Sequence, residues 1–211
     1  MGSFEAVLAG LRLVPVLVIE SPEHVAGVAE ALSSGGLPCV EVTLRAPGAL
    51  AALREFANDP RMLVGAGTVV LASQVDDVVG AGARFVVSPG YSQDVVDRCH
   101  ALGVPVLPGV STPTEVMRAM DCGLGLLKVF PAGTLGGPAG VRSLTAPFPS
   151  IRIVPTGGVG PGNLAEYLGV KAVVAVGGSW MVDPVLIRER RYDEIRRLTQ
   201  AAVTVAKEAR P

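Results

Sequence analysis

Of the three lysines in the chain, only Lys128 falls inside an apolar run of strand length, Gly125-Leu126-Leu127-Lys128-Val129-Phe130-Pro131. Burial lowers the pKa of an amine, and a partly neutral amine is what attack on a ketone requires. Lys207 lies in an amphipathic C-terminal stretch and Lys171 at the start of the last strand, where a solvated charge is ordinary. A second run, Val40-Glu41-Val42-Thr43-Leu44-Arg45, puts Glu41, Thr43 and Arg45 on one face by the two-residue period of an extended chain. If that face lines a cavity, a carboxylate and a guanidinium point into it together. An inward charge is costly without a task or a partner, which makes Glu41 a candidate proton carrier. A structural reading stands beside this one: Lys128 and Glu41 could form a buried pair, or the polar groups of the second run could pair at the rim.

Two glycine-rich segments, Pro155-Thr156-Gly157-Gly158-Val159 and Val176-Gly177-Gly178-Ser179-Trp180, each follow an apolar run. Bare backbone N–H groups beside a short helix N-terminus suit a phosphate, and the recurrence in consecutive units is more specific than either segment alone. Metal chemistry has little support. The two histidines, His24 and His100, fall in helical stretches, whereas a catalytic zinc site would need several at strand ends. A GxSxG nucleophile elbow and a Cys–His pair are absent from the sequence.

These residues need a frame, and the sequence repeats one unit: a short apolar run, then an amphipathic stretch that ends in glycine. Strands are expected at Leu13–Ile19, Cys39–Leu44, Leu63–Ala66, Arg84–Ser88, Val104–Leu107, Leu126–Phe130, Ile151–Pro155 and Ala172–Val176. Ser21-Pro22-Glu23 and Thr112-Pro113-Thr114-Glu115 read as helix starts, the second with a capping-box Glu. Gly35-Gly36, Gly82 and Gly103 read as left-handed helix stops. Repeated βα units fit an open doubly wound sheet or a closed barrel. The first βα turn, Val18-Ile19-Glu20-Ser21-Pro22, lacks the glycines of a dinucleotide fingerprint, which favours a (β/α)8 TIM barrel of the α/β class. No linker or composition break interrupts the series, so residues 1–211 are expected to form one domain.

The 211 residues carry a net charge of −1 and no block of like charges, which argues against a nucleic-acid partner and for a small-molecule substrate. The chain is 49% hydrophobic and only 4% aromatic, as buried parallel strands would make it. Cys39, Cys99 and Cys122 form no CxxC pair and read as reduced core residues of a cytoplasmic protein. No apolar run is long enough for a membrane span, the N-terminus does not resemble a signal peptide, and Gly2 alone makes no convincing acylation site.

Glu41-Val-Thr-Leu-Arg45, Gly65-Ala-Gly-Thr68-Val, Ser88-Pro89-Gly90, Pro108-Gly109-Val, Lys128-Val-Phe130-Pro131-Ala, Pro155-Thr156-Gly157-Gly158 and Gly177-Gly178-Ser179-Trp180 together resemble the 2-dehydro-3-deoxy-6-phosphogluconate (KDPG) aldolases. That family also includes enzymes active on 4-hydroxy-2-oxoglutarate. The resemblance runs in order from about Pro15 to Trp180. It implies an imine between Lys128 and pyruvate, with Glu41 moving protons as general acid and base. Arg45 and Thr68 would hold the pyruvyl carboxylate, Arg45 as a planar fork. Pro89 and Phe130 would shape the pocket, and Gly157, Gly158, Gly178 and Ser179 would surround the phosphate.

The resemblance further implies a homotrimer and a reaction that uses no metal or cofactor. The segment Gly133-Thr134-Leu135-Gly136-Gly137-Pro138 departs from the family pattern, where more polar residues are common. Galactonate-type relatives carry an Arg near the end of the first strand, which here reads Pro15-Val16-Leu17-Val18-Ile19-Glu20. A Thr156 hydroxyl could bond the C4 oxygen of one epimer, so a preference for the gluconate form is expected; Thr156 as a turn residue is the alternative. A phosphate-binding isomerase or synthase, or a non-catalytic phosphosugar-binding barrel, would share the glycine loops but would not need Lys128 and Glu41.

Overall fold

The computed structural model describes residues 4–209. Gly2 and the two ends of the expected 1–211 domain lie outside the described residues. Helix α1 (Phe4–Leu11) precedes β1 (Leu13–Leu17), α2 (Val25–Ser34), β2 (Cys39–Thr43), α3 (Ala49–Ala57), β3 (Leu63–Gly67), α4 (Ala72–Gly80), β4 (Phe85–Val87) and α5 (Gln93–Ala101). Two short pieces follow, β5 (Val106–Leu107) and β6 (Gly109–Val110), then α6 (Pro113–Asp121), β7 (Leu126–Val129), α7 (Gly137–Thr145) and β8 (Arg152–Pro155). The chain ends with α8 (Leu164–Leu168), β9 (Val176–Gly178), α9 (Pro184–Arg188) and α10 (Tyr192–Glu208). All strand pairs are parallel, in one ladder of order β5-β4-β3-β2-β1-β9 and another of order β6-β7-β8.

The two ladders curl around a shared interior. Val14, Cys39, Phe85, Val87 and Leu107 of the longer ladder pack in one buried cluster with Val154 of the shorter. Leu8 joins them, and the Phe4 ring lies 5.0 Å from that of Phe85, so α1 covers the end of the interior where the strands begin. The alternate residues of the strands, such as Val40, Val42, Val64 and Val86, face outward into a larger cluster with Leu32, Leu53, Val78 and Val96 of the surrounding helices. Each such aliphatic side chain contributes about 1.5–3 kcal/mol on full burial.

In place of the expected closed barrel, regular pairing gives an α/β fold with a curled, open parallel sheet, its ladder interrupted at two places. Pro108 has no N–H to donate, so β5 pairs with β4 on one side of it and β6 with β7 on the other. Between β8 and β9 there are two isolated bridges, Ile153 to Val173 and Thr156 to Gly177. The last strand lies further along than expected. Val173 within the apolar run makes only a bridge, whereas Gly177 and Gly178 extend regular pairing with Val14 and Pro15.

Local chemistry places the helix ends. Thr112 Oγ1 accepts from the Glu115 N–H at 3.3 Å, and Glu115 Oε2 accepts from the Thr112 N–H at 2.9 Å. Burial alone would raise the Glu115 carboxyl, but hydrogen bonds from Ser111 and Thr112 outweigh it and hold it below the usual carboxylate range. Gly36, Gly82 and Gly103 are left-handed at φ 85, 98 and 65. Gly35 is not: at φ −75 it serves instead as a close approach, since a Cβ there would come within 2.7 Å of Thr199 on α10. Cys39 and Cys99 are buried as expected, but Cys122 is only half-buried, with Sγ 3.1 Å from the Tyr91 hydroxyl, and is no core residue. Among the described residues no helix is long and apolar enough to cross a membrane.

Candidate active site

Glu41 of β2 and Lys128 of β7 come from different ladders and meet inside. In β2 the alternation that turns Cys39 inward turns Glu41 inward, and in β7 Leu126 packs against the same inner cluster two residues before Lys128. Lys128 Nζ donates to Glu41 Oε1 at 3.3 Å, with side chains 6% and 3% exposed. The room for the carboxylate comes from Gly67 on β3, where a Cβ would overlap Glu41 Oε1. Beneath the pair, burial and then the Glu41 charge push the Cys39 thiol far above its ordinary range. Above it, the Phe130 ring centroid lies 5.3 Å from Lys128 Nζ, within cation–π range.

This pair is poorly served as a structural device. A carboxylate can accept about four hydrogen bonds and an ammonium can donate three. Among the described residues each has the other as its single side-chain hydrogen-bond partner, at a long distance. Burying two charges costs several kcal/mol per ion unless their remaining bonding capacity is met, so the arrangement favours chemistry over stability.

At the end where the strands finish lies a cavity of about 320 Å³, and Arg45, Phe130, Thr156, Gly157, Gly158, Gly178 and Ser179 all line it. The polar side chains of Arg45, Thr156 and Ser179 make no hydrogen bond or ion pair with other described residues. Thr43, on the same face as Glu41, is spent within the fold: its hydroxyl donates to Leu17 O at 2.8 Å. Thr156 is buried yet its hydroxyl bonds no group among the described residues, so it is not committed to the following turn. Gly157 and Gly158 follow with φ 86 and 80, values that glycine alone adopts freely.

Thr68 and Pro89 follow β3 and β4 at the same end of the sheet but do not line this cavity. Thr68 has φ 58, an outlier for a β-branched residue and a strain of about 1–3 kcal/mol that clusters at ligand sites. Its hydroxyl, like that of Thr156, has no partner among the described residues.

Sequence reasoning missed the walls of the cavity. Val16 and Val18 continue the inward alternation from Val14, a signal that was there to be followed, and Val182 and Pro184 arrive from the segment after β9. It also missed the glycines that make space: a Cβ on Gly177 would overlap Thr156 Oγ1, and one on Gly178 would overlap the Trp180 ring. The histidines stay outside the site. His24 is buried with Nδ1 3.1 Å from the Tyr192 hydroxyl, and His100 is exposed on α5.

The KDPG and KHG aldolase family matches residues 4–198. A 2-dehydro-3-deoxy-phosphogluconate aldolase of Treponema pallidum is 42% identical over 205 residues, covering 96% of each chain. The KHG/KDPG aldolase of Escherichia coli K12 is 40% identical over 206 residues, 97% of each chain. A crystal structure of the KDPG aldolase of Legionella pneumophila, with pyruvate captured as a covalent carbinolamine intermediate, is 39% identical. It superposes with a TM-score of 0.91 and covers 94% of this chain and 97% of that one.

Proposed function

The chain belongs to the KDPG and KHG aldolase family and is a carbon–carbon lyase, and on that premise we propose that it cleaves 2-dehydro-3-deoxy-6-phosphogluconate to pyruvate and glyceraldehyde 3-phosphate through a Schiff base on Lys128. The same site would take 4-hydroxy-2-oxoglutarate. The observation that carries this reading is the buried, under-bonded contact of 3.3 Å between Lys128 Nζ and Glu41 Oε1.

Lys128 adds to the C2 ketone, and loss of water from the carbinolamine gives a protonated imine. The C4 hydroxyl proton passes to Glu41, directly or through water, as the C3–C4 bond breaks and its electron pair flows into the imine. Glyceraldehyde 3-phosphate leaves, Glu41 returns the proton to C3 of the enamine, and water releases pyruvate. The imine itself is the electron sink, so this route asks for no metal and no cofactor.

Arg45 and Thr68, whose polar groups have no side-chain partner among the described residues, hold the pyruvyl carboxylate, and Pro89 and Phe130 shape the pocket. Gly157, Gly158, Gly178 and Ser179 receive the phosphate, and Thr156 bonds the C4 oxygen.

The frame for this chemistry is a closed eight-stranded barrel in a single domain spanning 1–211, with β5 and β6 as two halves of the fifth strand. Its support is the mixed membership of the inner cluster and the hydrogen bond from Val174 N–H to Ile153 O at 3.1 Å, which joins β8 to the segment before β9. A homotrimer in the cytoplasm completes the proposal, and equilibrium sedimentation at a monomer or dimer mass would reject the trimer.

Pyruvate with borohydride tests the chemistry, because only an imine is reduced irreversibly to a stable amine under those conditions. Mass spectrometry should find the adduct on Lys128. An adduct on Lys171 or Lys207 instead, or none, would overturn the assignment.

A further inference from the structure

We propose that the end of the fold opposite the candidate active site carries a second ligand site, one that binds a nucleoside polyphosphate. A cavity of about 440 Å³ lies between the end of α7, the start of β8 and the turn before β9. That volume is within the range of small-molecule sites. Arg142, Arg152 and Lys171 stand around it, and no acidic residue lines it.

In a chain with 18 basic and 19 acidic residues, some arginines are met by carboxylates, Arg61 by Asp59, Arg98 by Asp76 and Arg197 by Glu194, while others such as Arg45 in the active-site cavity meet none among the described residues. None of the three cations around this cavity forms an ion pair among the described residues. An anion in the cavity would meet three cationic groups that no carboxylate engages. Arg152 is already oriented, because Nη1 donates to Pro149 O at 3.0 Å and to Ile151 O at 3.1 Å. Its Nε and Nη2 have no acceptor among the described residues.

The floor has a different character. Phe148 is half-buried, and Ile151 and Val170 are 2% and 3% exposed. An inorganic anion would leave the exposed part of the Phe148 ring in water, and a neutral aromatic compound would leave the cations unpaired. A ligand with a flat apolar part and several anionic oxygens satisfies both. The base of a nucleoside polyphosphate packs on Phe148, and its phosphates take the two guanidinium groups and the ammonium. Arg152 opens β8 and Thr156 follows its end, so this ligand and a substrate in the active-site cavity do not overlap.

Calorimetric titration of the native protein with ATP, and separately with inorganic triphosphate, tests the site. ATP should bind with a Kd below about 1 mM, and triphosphate should bind at least about fivefold more weakly because it leaves the floor unused. ATP binding should survive Ser179→Asp, which blocks phosphate at the other end, and weaken at least about tenfold in Arg142→Gln/Lys171→Gln. Both replaced side chains are exposed, and Lys171→Glu alone makes the same comparison if the double variant unfolds. No ATP binding to the native protein in that range, binding lost in Ser179→Asp, binding undiminished in the double variant, or equal affinity for the two probes overturns the proposal.

Discussion

The carboxylate of Glu41 occupies the space that a side chain on Gly67 would fill. The geometry of the buried pair is thus set from β3, by a residue that contributes no functional group. Gly67→Ala should push the carboxylate off Lys128 and lower kcat by about a hundredfold or more, the scale of losing a general acid–base group. The forced repacking should also cost about 1–3 kcal/mol of stability. Steady-state kinetics together with denaturant unfolding check both; native turnover would mean that the carboxylate has other room.

Glu41→Gln keeps the shape of the side chain and removes its ability to carry a proton. Imine formation, read by borohydride trapping of pyruvate, should persist, while turnover of the phosphosugar acid falls by about a hundredfold or more. Near-normal turnover in this variant would reduce the Lys128–Glu41 contact to a structural pair.

Ser179→Asp places a carboxylate where the phosphate is proposed to sit. The Michaelis constant should rise at least about tenfold for the phosphorylated substrate and change little for 4-hydroxy-2-oxoglutarate, since only the former brings a phosphate to be repelled. Equal effects on both substrates would locate the phosphate somewhere else.

Thr156 has a hydroxyl on the wall of the cavity with no partner among the described residues. The native enzyme should favour the gluconate over the galactonate epimer, because a site built to bond one hydroxyl leaves polar groups unpaired with the other. Thr156→Val should shrink the ratio of the two kcat/KM values by about tenfold, the effect of about 1.4 kcal/mol. A ratio that does not move would assign selectivity to another residue.

The strands that carry chemistry were readable because burial imposes a period. Leu13, Cys39, Leu63 and Leu126 begin their strands where the apolar runs begin, and Glu41 and Lys128 stood out as charges inside those runs. The eighth strand was misplaced for a physical reason. Gly177 and Gly178 have no side chains to report a strand, and they pair with β1 because Thr156 and Trp180 need the volume that side chains there would take. Pro108 likewise reads as a strand end, although the chain resumes as Gly109–Val110 beyond it. The left-handed φ of Thr68 had no local signal at all, since threonine rarely adopts it, and the half-buried setting of Cys122 beside Tyr91 depends on a tertiary contact.

β1 and β9 lie side by side, with Leu13 opposite Val176, although they come from opposite ends of the chain. During synthesis β1 leaves the ribosome first, and its free edge waits for nearly the whole polypeptide before β9 can cover it. The seam between them is as non-local as any pairing in the sheet, and non-local contacts form late and slowly. Until it closes, Leu13, Val14 and Pro15 present an unpaired apolar edge to any other nascent chain. The ordering that stations the glycine-rich turn beside the first strand therefore leaves the edge of that strand among the last to be covered.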